Sequence, residues 1–108
     1  VLQGAVVTEV GSLAHVIADL AGVASGPLRD APLLSGLLIA AAGAAGLNPS
    51  GAPHVRIAPS GAVSAILFLD PCHVSIHSLP DRGLALVDVL TRDAGDATKA
   101  LDVFVRRL

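Results

Sequence analysis

Hydrophobic and polar positions alternate along this chain with two different periods, and the change of period marks out its elements. Between Leu13 and Leu20, Val16, Ala18 and Leu20 alternate with His15, Ile17 and Asp19, the two-residue period of a strand. Gly22 to Arg29 reads as a loop around Gly26-Pro27. From Asp30 to about Ala45 the period becomes helical, with Leu33, Leu34, Leu37, Leu38 and Ala41 at three-four spacing. Asp30 suits the N-cap, Pro32 the first turn, and Gly46 and Asn48 the stop. After a turn at Asn48–Pro53, the short strand His54–Ala58 and a turn at Pro59-Ser60-Gly61, the two-residue period returns. Ala62–Leu69, Cys72–Ser78 and Leu84–Leu90 read as strands, the last two joined by Pro80-Asp81-Arg82-Gly83. Asp96 can cap a final helix with an inner stripe of Ala97, Ala100, Leu101, Phe104 and Leu108. Val1 to Gly11 is apolar and short, and the pattern leaves its structure open.

Runs of strands with few helices predict an α+β two-layer sandwich, an antiparallel sheet with two helices on one face. At 108 residues the chain reads as a single domain, 1–108. Its apolar share of 53% is high for so small a body, so part of that surface is expected in an oligomer interface, most simply a homodimer. A net charge of −2 and two aromatic residues, Phe68 and Phe104, give no footprint for nucleic acid. The apolar run Ala31–Leu47 is near the lower limit for spanning a bilayer and reads as a buried helix, so no membrane partner is expected. One cysteine makes no internal disulfide, which points to the cytoplasm. The chain starts at Val1 without methionine, so it reads as trimmed, and a lost targeting segment stays open.

Candidate chemistry concentrates in Cys72-His73-Val74-Ser75-Ile76-His77-Ser78-Leu79-Pro80-Asp81-Arg82-Gly83. Strand alternation puts His73, Ser75 and His77 on one face and Val74 and Ile76 on the other. A zinc site from Cys72, His73 and His77 is not expected, because His73 and His77 stand about 13 Å apart along a regular strand. His15 and His54 read as structural or exposed, and Asp88, alone in an apolar strand, as a group that bonds backbone or caps a neighbour.

This segment, with Gly83 and the strand Leu86-Val87-Asp88-Val89, resembles the core of the small bacterial S-adenosylmethionine decarboxylases, whose pattern there runs Ser-His-Leu-Thr-Ile-His-Thr-Trp-Pro-Glu. Ala14-His15-Val16-Ile17-Ala18-Asp19-Leu20 is similar to that family's opening strand, and the likeness runs from about Leu13 to Leu108. The resemblance implies the same two-layer sandwich and active sites built in dimers. It also implies a pyruvoyl group, made when the chain rearranges and breaks at an internal serine. That serine falls on Cys72, the processing histidine on His77 and an assisting serine on Ser64. The ribose-contacting acid falls on Asp81, the proton-donating cysteine on Arg92, and the motif's tryptophan on Leu79.

The assisting groups therefore survive while the serine and cysteine that perform the chemistry do not. An unbroken chain with an ordinary cysteine argues against a pyruvoyl group, and no other cofactor is expected. The leading expectation is a diverged enzyme acting on S-adenosylmethionine or a related amino-acid-like ligand. It would use Cys72 as nucleophile, His77 as base, Ser64 assisting, and Arg92, Asp81 and His73 at the ligand. One alternative is a non-catalytic homologue acting as a binding or regulatory subunit, favoured by a buried Cys72. Another is a pyruvoyl-dependent decarboxylase of polyamine synthesis, processed at Cys72.

Overall fold

The computed structural model describes residues 2–108, and Val1 lies outside them. Six strands form one antiparallel sheet: β1 (Leu2–Val10), β2 (Leu13–Leu20), β3 (His54–Ile57), β4 (Val63–Phe68), β5 (His73–Leu79) and β6 (Leu84–Thr91). Their order across the sheet is β1-β2-β6-β5-β4-β3. The helices are α1 (Ser25–Leu28), α2 (Ala31–Ala44) and α3 (Ala94–Arg107), and α2 and α3 supply the second layer. This is the α+β sandwich that the alternating pattern predicts.

The order follows from one long crossing. After the β1–β2 hairpin, α1 and α2 carry the chain to the far edge, where β3 begins a meander. Its last strand, β6, closes against β2, so residues seventy positions apart become cross-strand neighbours, such as Ile17 and Asp88. The pattern left the first eleven residues open, and the structure pairs Leu2–Val10 with β2 as an edge strand exposed throughout. The expected loop before Asp30 contains the single turn α1.

Every second strand residue enters the core between the layers. Val16, Ala18 and Leu20 come from β2, Val63, Ala65 and Leu67 from β4, Val74 and Ile76 from β5, and Val87 and Val89 from β6. Leu34, Leu37, Leu38 and Ala41 of α2, with Ala97, Ala100, Leu101 and Phe104 of α3, cover them. Burial of such side chains contributes roughly 1.5–3 kcal/mol each for the larger ones. Asp30 caps α2 by accepting from the Leu33 amide at 3.1 Å, as its position predicts. α3 starts earlier than expected: Asp93 is its N-cap and accepts from the Asp96 amide at 2.8 Å, leaving Asp96 in the first turn. α2 is fourteen residues long, and no helix among the described residues is long and apolar enough to cross a membrane.

Buried polar groups tie the β5 end of the sheet to the crossing. Ser78 Oγ donates to the Leu28 carbonyl at 2.7 Å and accepts from the Val63 amide at 2.8 Å. The turn Pro80–Arg82 ends at Gly83, whose φ of 59° and close approach to the Val23 carbonyl suit a residue without a Cβ. Val23 N donates to the Gly83 carbonyl at 2.9 Å. The sheet's other face carries no helix among the described residues, and its side chains form the candidate site.

Candidate functional site

Register sets out the open face in rows. Arg56 of β3 stands opposite Ser64 of β4, which stands opposite His77 of β5. The next row runs His54, Ile66, Ser75, Asp88 and Ile17. The third joins Phe68 to His73, and His73 through Leu90 to His15. Neighbouring strands lie about 4.8 Å apart, so Arg56 and His77 are separated by about 10 Å at their backbones.

A cleft of about 810 Å³ lies over these rows, with Arg56, Ser64, Ile66, His73, Ser75, His77 and Asp88 in its lining alongside His54. That volume falls within the range of small-molecule sites. His77 Nδ1 and Ser64 Oγ are 2.9 Å apart, and His77 is exposed. With Nδ1 engaged, Nε2 is the nitrogen left to face the cleft, and it has no hydrogen-bond partner among the described residues. The Arg56 guanidinium is exposed and has no ion-pair partner among the described residues. His54 packs its ring edge-on against Phe68, centroids 5.5 Å apart.

The most connected group on this face is Asp88, in the middle of β6. His15 and His73 stand opposite Leu90 from its two sides, and Asp88, two residues along, reaches between them. His15 Nε2 meets Oδ1; His73 Nε2 meets Oδ2 at 2.9 Å. An ionised carboxylate only accepts, so both Nε2 atoms carry the proton in these bonds. Ser75 Oγ donates weakly to Oδ2 at 3.4 Å. Burial pushes the Asp88 carboxyl up, but the hydrogen bonds from His73 and His15, with their charge, outweigh it and hold it below the ordinary 3.8.

The expected site residues are dispersed by the fold. Ser64, His77 and His73 come together in the cleft. Cys72 does not join them. It precedes β5, is 3% exposed, and packs in the core between sheet and helices. The expected Cys72–His77 pair is therefore corrected: five positions apart in extended chain, the two side chains take opposite faces. Arg92 lines a separate depression beside the β1–β2 turn, with Glu9, Ser12 and Asp93, and is not among the residues that line the cleft with His77. Asp81 is outside the cleft lining, its side chain 78% exposed and paired with Arg29 at 2.7 Å.

Three participants escaped the sequence pattern. His15 and Asp88 are joined only because β2 and β6 are neighbours, a pairing that local periodicity does not report. Asp88 bonds side chains of two strands rather than backbone. Arg56 read as one residue of a short strand, and only its place opposite Ser64 brings it to the cleft.

Comparison with known proteins gives a consistent result. The S-adenosylmethionine decarboxylase family model matches residues 14–108, leaving β1 outside the match. The S-adenosylmethionine decarboxylase proenzyme of Aquifex aeolicus is 34% identical over 95 residues, which are 87% of this chain and 70% of that protein. The proenzyme of Bacillus cytotoxicus is 36% identical over 77 residues, 71% of this chain and 58% of that one. This chain thus spans little more than half the length of several curated relatives it matches. The crystal structure of the Aquifex aeolicus adenosylmethionine decarboxylase superposes with a TM-score of 0.80 at 32% identity, covering 89% of this chain and 78% of that one.

Proposed function

The chain belongs to the S-adenosylmethionine decarboxylase family, and from that premise we propose that its open-face cleft binds S-adenosylmethionine or a related amino-acid-like ligand without the family's self-processing. The carrying observation is a division of the sheet. The polar groups Arg56, Ser64, His77 and Asp88 share the open face, while Cys72 is sealed in the core beneath.

The family's pyruvoyl group does not fit these residues. Its precursor position holds Cys72, which is packed in the core and is not among the cleft-lining residues that include Ser64 and His77, the two groups that would assist its formation. No step is derived through that group. The cleft's charges suit a zwitterionic ligand instead. Arg56 offers a two-pronged donor for a carboxylate, and Asp88 offers negative charge to an ammonium or sulfonium centre. Exposed Val6, Val10, Leu13, Ile17, Leu86 and Phe68 share this face, which supports a second copy of the chain covering it in a homodimer.

A catalytic role is the second reading, and the His77–Ser64 bond favours it. An imidazole oriented through Nδ1 presents Nε2 for proton transfer, as acid–base chemistry requires. Intact mass and carbon dioxide release from carboxyl-labelled S-adenosylmethionine separate the two. A binding member gives one unbroken chain, saturable ligand binding and no release. Two fragments would overturn the absence of self-processing, and release that His77→Ala abolishes would establish the catalytic reading.

A further inference from the structure

Three side chains from three different strands converge on one point at the inner edge of the cleft. One donor atom each from His15, His73 and Asp88 lies within 4.8 Å of the other two. The two imidazoles approach the carboxylate from opposite sides, ring centroids 6.3 Å apart and nearly perpendicular at 77°. All three side chains keep access to solvent, at 37%, 26% and 34% relative exposure in that order. His73 and Asp88 also line the cleft, so the point of convergence opens onto it.

We propose that His15, His73 and Asp88 form a binding site for a borderline divalent metal ion of the zinc or cobalt class, with its remaining coordination positions open to the cleft. Two imidazole nitrogens and one carboxylate oxygen are the donor set such ions favour, while magnesium and calcium prefer oxygen alone. A tetrahedral ion with bonds of about 2.0–2.2 Å places its donors about 3.4 Å apart. The three donors lie within 4.8 Å of one another, and rotation of rings and carboxylate would bring them to that spacing. The ion takes the place of the two Nε2 protons: a neutral ring moves its proton to Nδ1 by exchange with solvent, and a doubly protonated ring keeps Nδ1–H and releases one proton to solvent. Water or a bound ligand then fills the open positions.

The site shares Asp88 with the proposed ligand cleft, so its test uses the metal ion alone and no organic ligand. Untagged, chelator-treated protein is titrated with cobalt(II) and zinc(II), following visible cobalt absorption, calorimetry and the imidazole proton signals. Expected is one ion per chain, a cobalt spectrum of low coordination number, and paramagnetic shifts on the ring protons of His15 and His73. Asp88→Asn and His15→Ala should weaken binding about tenfold or more, with His77→Ala little changed. The wild-type spectra decide the question even where a variant folds poorly. No saturable binding, or paramagnetic shifts centred on His54 or His77, overturns the site, and so does undiminished affinity in folded Asp88→Asn.

Discussion

His73 and Asp88 lie on adjacent strands and are joined Nε2 to Oδ2 at 2.9 Å, with His15 closing on the same carboxylate from the other side. The bonds hold the Asp88 carboxyl below its ordinary value despite partial burial. A group whose folded pKa is depressed contributes stability above its unfolded pKa, and loses it as pH falls through the folded one. In chelator, wild type should exceed Asp88→Asn by about 1 kcal/mol at neutral pH, a figure already reduced for solvent screening. The gap should close below about pH 4. Urea unfolding at neutral, mildly acidic and strongly acidic pH measures it; a gap independent of pH contradicts the ion-paired cluster.

Cys72 should behave as a core residue. Its thiol should react slowly with an aromatic disulfide reagent in native buffer and fast in denaturant, since it is 3% exposed. Cys72→Ala should cost about 1 kcal/mol of stability through the cavity it leaves, with ligand affinity unchanged. Fast native labelling would place the thiol at a surface instead.

Ser78→Ala removes the acceptor of the Val63 amide and the donor to the Leu28 carbonyl, both buried. Leaving those backbone groups unsatisfied should cost about 1–3 kcal/mol, read as a lower urea midpoint at unchanged slope. Full stability would mean that water replaces the hydroxyl.

Gly83→Ala should destabilise by about 1–2 kcal/mol. The residue sits at φ 59°, and its added Cβ would meet the Val23 carbonyl oxygen at 3.0 Å. Thermal unfolding checks it, with Gly51→Ala, where a Cβ meets nothing within 4 Å, as the comparison.

Local chemistry was the legible part of this chain. The alternation in Leu13–Leu20 and the Asp30 cap predicted their elements because the responsible forces act within a few residues. The parity that puts His73 and His77 on one face leaves Cys72, one residue before His73, on the core side. What stayed hidden depends on strand order. His15 meets Asp88 only after α2 carries the chain across the sheet and β6 returns beside β2. The edge strand β1 also gave no signal, since neither of its faces is buried.

The open face is the claim on which the functional conclusions stand, and calorimetric titration of S-adenosylmethionine into the intact chain, paired with backbone amide shifts, tests it most directly. Saturable binding should appear, with the largest shifts at Arg56, Ser64 and His77, and Arg56→Ala should weaken it about tenfold or more, as loss of a bidentate carboxylate contact requires. Absence of binding, or shifts confined to the Arg92 depression or to Asp81, would contradict a ligand site on that face.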